Sequence, residues 1–434
     1  MNFERLRELI LERAIQGKLV PQLESEPEIV QIGELPRNLP FTLPLKWKWV
    51  KLNEVTSCIA GQSPDSAFIN ENVGTEFHQG KQFFTDKEIG FSHKKTTKVT
   101  KEVGEDTAAV VLSVRAPVGD VNIVRRKICI GRGLFGIVPK KNVDVEYLFF
   151  AMSALSRFLQ KQSSGTTFKA INGKTVRELH FPLPPLSEQY RITTKINHLF
   201  KQINRIEKAR KELSSLSEKF RQLCLEKAIQ GRLAPQLESE LSVGQIGEVL
   251  QDVPFKIPDK WKWVQLKSVG KVVGGGTPKT NIAEYWYDGS ILWFTPVDLG
   301  KVKGIHAEDS ERKITKLGLE NSSATLIPAN TVLYSSRAPI GYIALAKSEC
   351  CTNQGCKSFV PNEAYITPIW AYWALRARTP DVISRSSGTT FKEISGRKMS
   401  ETWIPLPSIR EQKRISAKLE SITKKLYLLD VANQ

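Results

Sequence analysis

Three residues in the second half of the chain could form a metal-dependent catalytic site. Asp298, Glu311 and Lys313 loosely fit a nuclease core in which two carboxylates hold Mg²⁺ and a lysine assists. Short patterns of this kind are common by chance, and the first half of the chain has no counterpart. The five histidines recur in no matched pair, which disfavours duplicated acid–base chemistry. A Mg²⁺-dependent nuclease is therefore a minor alternative.

A glycine-rich segment at residues 274–280 superficially resembles a phosphate-binding loop, with a thinner echo at residues 61–64. The Walker pattern needs glycine immediately before its lysine, and Pro278 occupies that place. The sequence also lacks a glycine-rich turn of dinucleotide or adenosylmethionine type and an Asn-Pro-Pro-aromatic motif for amino methylation. We therefore predict a loop without a nucleotide, and no cofactor in this chain.

Basic side chains recur in turns that could contact a polyanion. The pattern Arg-Ala-Pro-x-Gly occurs twice and presents Arg115 and Arg337, which could bind phosphate or a guanine edge, or could pin the turn through a carboxylate. The repeated segment Ser-Ser-Gly-Thr-Thr-Phe-Lys could position phosphate, although a helix start capped by threonine is favoured. The candidate DNA-binding residues are Lys81, Lys94, Lys95, Lys98, Arg115, Lys169, Thr277, Lys279, Arg337 and Lys392.

The composition favours a polyanionic partner. The chain has 63 basic and 45 acidic residues, a net charge of +18, and such an excess strengthens attraction to DNA or RNA. Charge alone also fits a basic protein with no nucleic-acid role. Because no apolar run approaches the ~20 residues of a membrane span and residues 1–7 lack the apolar core of a signal peptide, we expect a cytoplasmic location. The six irregularly spaced cysteines predict neither a disulfide framework nor a zinc site.

Long segments of the chain occur twice. The repeated segments are 14–26 with 228–240, 46–50 with 260–264, 112–119 with 334–341, 163–169 with 386–392, and 182–184 with 405–407. A repeat of this length is not a solenoid unit. It indicates two equivalent domains on duplicated connectors, and hence two equivalent ligand sites. Trp47-Lys-Trp49 and Trp261-Lys-Trp263 predict the first strand of each domain, with the tryptophans in the core; stacking on bases is the lesser alternative.

Apolar residues at alternating spacings of four and three predict a long connector helix over residues 187–231. Ser187 and Gly231 are its plausible caps. We predict that helices from the two ends of the chain lie end to end beside this helix and antiparallel to it, as if a circular two-repeat protein had been cut inside one helix. The predicted packing residues are Ile192, Ile196, Leu199, Ile203, Ile206, Ile415, Leu419, Ile422, Leu426 and Leu429.

The second domain carries a series of motifs whose order is informative. They are Gly275-Gly-Thr-Pro-Lys279, Glu284-Tyr-Trp286, Ile291-Leu-Trp293 through Asp298, Ser336-Arg-Ala-Pro-Ile-Gly341, Thr352-Asn-Gln-Gly355, and Pro405-Leu-Pro407 leading into Glu411-Gln412. In these motifs and their order the chain resembles the specificity subunits of type I restriction-modification systems, over essentially its whole length. The first domain departs from the family pattern after Gly61-Gln-Ser-Pro64.

The resemblance implies an α+β fold in which two globular α/β target-recognition domains are joined by two long antiparallel coiled-coil helices, a pseudo-twofold repeat with circularly permuted termini. It implies a non-catalytic DNA reader, in which each domain binds one half of a split target and the helices set the spacer and dock two methyltransferase subunits. Restriction subunits would join the complex, and S-adenosylmethionine, ATP and Mg²⁺ would bind to these partners. A standalone two-domain DNA-binding regulator is the main alternative. The expected segments are 1–20, 21–186, 187–231, 232–407 and 408–434.

Overall fold

The computed structural model describes residues 2–33, 39–115, 118–162, 171–388 and 392–432. The chain forms two compact units, unit 1 (Met1–Ala209) and unit 2 (Arg210–Gln434). The boundary between them lies inside the long helix α5 (Leu186–Ile229). The predicted central helix is therefore present, with ends within two residues of the predicted ones.

Unit 1 is an α+β unit whose sheets are antiparallel apart from one parallel strand pair. Its helices before α5 are α1 (Phe3–Ile15), α2 (Leu52–Val55), α3 (Val145–Gln162) and α4 (Gly173–Arg177). Its strands are β1 (Lys48–Lys51), β2 (Thr56–Ala60), β3 (Ile69–Asn70), β4 (Thr75–His78), β5 (Lys95–Thr96), β6 (Glu102–Val103), β7 (Ala109–Ser113), β8 (Val121–Val124), β9 (Ile128–Ile130), β10 (Leu134–Pro139) and β11 (His180–Leu183). The sheet orders are β1-β11, β2-β10-β7-β8 and β3-β5-β4-β9-β6, with β4 and β9 parallel.

The strand β7 lies at the centre of unit 1 and is buried on both faces. Its alternate residues Val110 and Leu112 belong to the core cluster that contains α3, whereas Ala109 and Val111 belong to a second cluster with β9. A strand covered on both sides reads as a continuous apolar run, because both sets of alternating side chains are buried. The predicted first strand is confirmed as β1, with Trp47 and Trp49 buried.

Unit 2 repeats this plan with different insertions. Its helices after α5 are α6 (Leu266–Val269), α7 (Pro296–Lys301), α8 (Lys316–Glu320), α9 (Pro368–Ser384), α10 (Gly396–Ser400) and α11 (Ile409–Ala432). Its strands are β12 (Lys262–Gln265), β13 (Gly270–Gly274), β14 (Ile291–Phe294), β15 (His306–Ala307), β16 (Arg312–Ile314), β17 (Val332–Tyr334), β18 (Ile343–Ala346), β19 (Cys350–Thr352), β20 (Lys357–Pro361) and β21 (Trp403–Leu406). The sheet orders are β12-β21, β13-β20-β17-β18-β15 and β16-β14-β19, and β14 and β19 form the parallel pair that matches β4 and β9.

The duplicated segments near the connector form the same set of polar contacts with a connector helix in each unit, and we call this set of contacts the joint. In unit 1 the indole of Trp47 donates to Glu188 at 2.8 Å, and the Lys46 ammonium donates to the carbonyls of Leu23, Glu24 and Glu26. In unit 2 the indole of Trp261 donates to Glu411 at 2.8 Å, and Lys260 donates to the carbonyls of residues 237, 238 and 240. Buried polar groups need such partners. These repeats therefore serve the structure of the joint.

The carboxylate of Glu26 completes the joint of unit 1. It accepts hydrogen bonds from the Arg191 guanidinium at 2.7 and 2.8 Å and from the Leu23 amide at 3.1 Å. Burial would raise the pKa of Glu26, but these bonds outweigh burial and lower the pKa below its usual value. In unit 2 Glu240 and Arg414 form the same pair at 2.8 Å.

A glycine ends the helix at each joint. Gly17 and Gly231 have φ values of +66° and +68°, which non-glycine residues rarely adopt. A Cβ on Gly231 would lie 2.3 Å from the Cγ of Pro258. The Arg232 amide donates to the Lys227 carbonyl at 2.8 Å, which closes the last turn of α5. The predicted cap at Gly231 is thus confirmed.

The predicted packing residues of the connector helices are buried or partly buried, with two exceptions. Ile192, Ile196, Ile203, Ile415, Leu419 and Leu426 are buried, and Leu199 and Ile422 are partly buried against the cores of their units. Ile206 and Leu429 are 54% and 50% exposed, although their spacing places them in the same seam. Each is followed in sequence by an ion-paired residue, in the pairs Arg7–Glu207 at 2.6 Å and Arg221–Asp430. Among the described residues, we find no helix that is long and apolar enough to span a membrane.

Candidate nucleic-acid interface

Four loops of unit 2 meet at one end of its central sheet. We call residues 275–279, 335–341, 353–355 and 386–394 the four-loop cluster of unit 2; 389–391 lie outside the described residues. Backbone hydrogen bonds fix the loops to one another: the amide of Gly276 to the Thr352 carbonyl at 2.9 Å, of Ser336 to Gly355 at 2.8 Å, and of Ile394 to Ser336 at 3.1 Å. Four of the segments singled out in the sequence therefore converge.

Unit 1 builds the equivalent cluster from residues 61–64, 113–115, 118–119, 131–133 and Ile171; residues 116–117 and 163–170 lie outside the described residues. The same bonds recur: the amide of Gln62 to the Ile130 carbonyl at 2.9 Å, of Val114 to Gly133 at 3.0 Å, and of Ile171 to Val114 at 3.0 Å. The backbone scaffold of the site is thus duplicated although the side chains on it differ.

The side chains of the unit 2 cluster mix basic and amide groups. The Arg337 guanidinium lies 3.7 Å from the Glu393 carboxylate, which also lies 3.8 Å from the Lys357 ammonium. The Arg337 side chain is 37% exposed, so this loose pair contributes less than about 1 kcal/mol and leaves the guanidinium accessible. Lys279 and Lys392 are exposed.

A second polar contact in this cluster joins the glycine-rich loop to the segment 353–355. The Thr277 hydroxyl donates to the side-chain oxygen of Gln354, and the Lys357 ammonium donates to the Gln354 carbonyl at 3.0 Å. The loop follows strand β13 and does not open a long helix.

In unit 1 a cavity of about 220 Å³ lies between the cluster and residues 79–81. Its lining residues are Gln79, Gly80, Lys81, Ser113, Arg115, Arg132 and Gly133. The Lys81 ammonium pairs with Asp120, whereas Arg115 and Arg132 are exposed. Two guanidinium groups and an ammonium at one cavity suit an anion or the acceptor-rich edge of a base. Candidates Lys81 and Arg115 are therefore brought together.

The other lysine candidates of unit 1 lie on β5 and the segment around it. Lys94 and Lys98 are exposed, and the Lys98 ammonium lies 5.0 Å from the centre of the Phe68 ring. The Lys95 ammonium donates to the Asn72 carbonyl at 3.1 Å. These three lysines lie close together in the sequence, and none of them lines the cavity. Lys169 lies outside the described residues.

A partly buried ion pair holds this lysine-bearing segment. The Glu76 carboxylate accepts two hydrogen bonds from Arg126 at 2.8 Å, one from the Ser92 amide at 2.7 Å, and one from His78 at 2.7 Å. Arg126 also donates to the Gly90 carbonyl at 2.8 Å. Burial would raise the pKa of Glu76, but these bonds lower it to about 2.

The sequence reasoning missed Arg132 and Gln354. They occupy equivalent places in the two clusters, between residues 131 and 133 and between 353 and 355. Aligning the two halves of the chain would have paired them, but only the folded loop shows that each is exposed at a tip.

The three residues proposed for a nuclease are engaged in local contacts. Both oxygens of Asp298 are engaged by local donors: one by the Thr295 amide at 2.8 Å, the other by the Glu311 amide at 3.0 Å. The Glu311 side chain pairs with Lys301, and that of Lys313 pairs with Asp309 at 3.1 Å. No cluster of metal-ligating side chains occurs in the part of the chain that the structure describes.

The chain matches a family model described as the type I restriction modification DNA specificity domain, at residues 44–214 and again at 258–430. Among its relatives, the MjaIX specificity subunit of Methanocaldococcus jannaschii is 39% identical over 166 residues, 38% of each chain. The EcoR124I/EcoR124II specificity subunit of Escherichia coli is 34% identical over 160 residues, 36% of this chain and 39% of that one. These matches span about two fifths of the length of the curated relatives.

Two solved structures share the fold. One, from work on complex assembly and conformational transition of the type I R-M system, has a TM-score of 0.65 at 22% identity and covers 91% of this chain and 94% of that chain. The other, the HsdS subunit from Thermoanaerobacter tengcongensis, has a TM-score of 0.59 at 20% identity and covers 91% and 93%. Because the family model matches most of the sequence, once in each half, the chain belongs to the type I restriction modification DNA specificity family.

Proposed function

We propose that the chain is the non-catalytic DNA sequence-recognition subunit of a type I restriction-modification complex, and that each unit reads one half of a bipartite target. The observation that carries this proposal is the duplicated four-loop cluster, in which the same backbone bonds hold different side chains in the two units. A shared scaffold with different side chains is what reading two different half-sites requires, because base edges differ while the DNA backbone does not.

Charge supports a double-stranded DNA partner. The net charge of +18 favours a polyanion, and exposed arginine and lysine side chains lie at both clusters. Arg115 and Arg337 stand at matching positions of the two scaffolds, so they suit contacts that both half-sites share, namely phosphates. Three further candidates, Lys94, Lys95 and Lys98, suit backbone contacts of the first half-site.

The connectors would form an antiparallel coiled coil that sets the spacer between the half-sites. Contacts within unit 1 join Arg7 to Glu207 and Glu26 to Arg191, so residue numbers rise along one segment as they fall along the other. Contacts within unit 2 behave in the same way. In this proposal α1 and α11 are two pieces of one connector, cut by a circular permutation.

A permuted chain tests the connector. Joining residue 434 to residue 1 and reopening the chain between Asn204 and Ser217 should preserve folding and DNA recognition. Collapse of this permutant, with the unpermuted chain folded under the same conditions, would contradict the end-to-end arrangement.

The proposed partners are two methyltransferase subunits docked on the connector helices, joined by restriction subunits, in the cytoplasm. S-adenosylmethionine, ATP and Mg²⁺ would bind those partners and not this chain. Each partner would therefore contribute the chemistry, and this chain the choice of site.

Purified components test the function directly. The chain, alone and with the methyltransferase subunits encoded beside it, would be incubated with DNA, S-adenosylmethionine and Mg²⁺. We expect site-specific adenine methylation only from the complex. Tight site-specific binding by the chain alone, without methylation by the complex, would favour a standalone regulator. Mg²⁺-dependent cutting by the chain alone that is lost in Glu311→Ala would favour a nuclease.

A further inference from the structure

We propose that Arg312 binds a phosphate of the second half-site, at the place in unit 2 where unit 1 presents Lys94 to a phosphate of the first. This inference rests on the proposed function. It adds to the unit 2 interface a basic residue that lies outside the motifs the chain shares with the family.

Strand pairing places Lys94 and Arg312 at equivalent positions. In unit 1 the Phe77 amide donates to the Lys94 carbonyl at 2.8 Å, and in unit 2 Trp293 lies opposite Arg312. Phe77 and Trp293 are equivalent in turn, because each is the last but one paired residue of its strand in the parallel pair of its unit. The two cations therefore leave their sheets from the same point.

The chain on either side of these cations is also equivalent. We call residues 92–96 and 310–314 the basic segments. Each begins with a buried serine, continues with two exposed residues and a half-buried lysine, and ends with a buried residue. The two segments share only the serine and that lysine, so a sequence comparison does not pair them. The exposed residue before the lysine is a cation in both units.

The Arg312 guanidinium stacks on an indole. Its Cζ lies 3.5 Å from the centre of the Trp286 ring, and the side chain remains exposed. A cation is attracted to the face of an aromatic ring, and arginine is suited to stacking because its guanidinium is planar. The stack covers one face of the guanidinium and leaves the N–H donors at its edge for a ligand. A side chain held in this way loses less conformational freedom when it binds.

Arg312 is also not engaged in an ion pair. Of the three carboxylates that line the groove beside it, two pair with lysines: Glu311 with Lys301 at 2.6 Å and Asp309 with Lys313 at 3.1 Å. Within the part of the chain that the structure describes, Arg312 itself forms no such pair. Binding an anion would therefore not require an internal ion pair to break.

The stack is attached to the four-loop cluster of unit 2. The Trp286 indole donates to the Lys279 carbonyl at 3.1 Å. The Trp293 indole, whose ring centre lies 5.0 Å from that of Trp286, donates to the Gly276 carbonyl at 2.9 Å. Both carbonyls belong to residues 275–279 of the cluster. Arg312 thus lies on the indole that holds one of the cluster loops, and it extends the same surface.

A phosphate contact suits this position better than a base contact. The two units keep a cation there but change its head group, from the ammonium of Lys94 to the guanidinium of Arg312. Both groups bind phosphate, whereas the two differ in the base edges that they match. Half-sites of different sequence have phosphates in common, and so a shared charge with a changed shape points to the DNA backbone.

Purified complexes with the methyltransferase subunits test the inference. Fluorescence anisotropy would measure the affinity for a duplex carrying the mapped target between about 50 and 200 mM salt. For Arg312→Gln we expect affinity to fall by about 10-fold or more, because a charge-assisted contact is lost. The magnitude of the negative slope of log affinity against log salt should fall by about 0.9. Lys94→Gln should change the slope equally, and the double variant by about 1.8, since the two contacts lie in different units.

Arg312→Lys separates the phosphate contact from packing on the indole. Lysine keeps the charge but lacks the planar group that stacks, so a phosphate contact predicts a wild-type slope for this variant and a reduced slope for Arg312→Gln. If Arg312 only covers Trp286, both variants keep the wild-type slope and the inference is wrong. If Arg312→Gln loses affinity only through one base pair, when each base pair is changed in turn, Arg312 reads a base and the inference is again wrong.

Lys267→Gln is the matched control and should leave the slope unchanged. Lys267 is an exposed lysine of unit 2 that pairs with Glu248 at 3.0 Å. It lies on α6, which precedes β13, whereas the cluster loop 275–279 follows that strand. Lys267 is therefore at the opposite end of β13 from the proposed contact.

Failure of the inference differs from failure of the proposed function. If the wild-type complex methylates a bipartite target and Arg312→Gln keeps the wild-type slope, the inference alone falls. If the wild-type complex methylates no bipartite target, the proposed function falls and the inference falls with it.

Discussion

The ion pair of Glu76 and Arg126 gives the sharpest prediction about stability. The folded protein holds the pKa of Glu76 at about 2, against an ordinary value of 4.5. This difference corresponds to about 3 kcal/mol in favour of the folded state when the carboxyl is ionised. Because the folded-state pKa is lowered, the stabilisation is present above pH 4.5 and is lost as the pH falls from 4.5 towards 2. Neutralising Glu76 removes this pH-dependent contribution.

Glu76→Gln should therefore destabilise unit 1 at pH 7 by up to about 3 kcal/mol, and by less than about 1 kcal/mol near pH 2.5. The assay is urea unfolding of the full chain between pH 7 and pH 2.5, with the unit 2 transition as an internal reference. Glu88→Gln is the control, because Glu88 pairs with Arg125 on the surface and such pairs contribute about 1 kcal/mol or less. Parallel pH profiles for the wild type and Glu76→Gln would refute the reasoning.

Three further substitutions test the joint and the charged surface. Gly231→Ala should destabilise unit 2 by about 2 kcal/mol or more, since alanine disfavours positive φ and its Cβ would clash with Pro258; thermal unfolding against Gly244→Ala, where a Cβ meets open space, checks this. Trp261→Phe should lower the free energy of unfolding of unit 2 by about 1 to 3 kcal/mol, because it leaves the buried Glu411 without its indole donor. Equal urea midpoints for variant and wild type would contradict this. Replacing a set of three basic residues with glutamine should reduce the magnitude of the negative slope of log affinity for DNA against log salt by about 3, at about 0.9 for each phosphate contact. The control is Lys141→Gln, at an exposed lysine outside the predicted DNA-binding set, which should leave the slope unchanged. The set consists of Lys94, Lys95 and Lys98.

The connector could be predicted from the sequence because its signals are local. Helical spacing identifies the apolar stripe of α5, and a glycine identifies its end. The same signals misplace Ile206 and Leu429, since whether a seam residue is covered depends on the side chains that another helix places near it, and helical spacing along one segment does not show these.

The site could be predicted only as a set of motifs. The duplicated loops were found by their sequence repeats, but the partners that join them lie far apart along the chain; Glu26 and Arg191, for example, are separated by 165 positions. The parallel pair β4–β9, which precedes and positions residues 131–133, involves strands too short to carry a periodic signal. Long-range pairing of this kind has no local signature, and so the exposure of Arg132 and Gln354 on their loops could not be predicted.

The central claim is that each unit independently specifies one half of a bipartite site. The most direct test is a base-resolution map of adenine methylation in cells that carry this chain with its neighbouring methyltransferase, repeated after residues 259–404 are replaced by a different recognition domain. We predict a split motif of which only one half changes. A methylation pattern that stays unchanged while the exchanged protein is expressed and folded would contradict the account, as would simultaneous change of both halves.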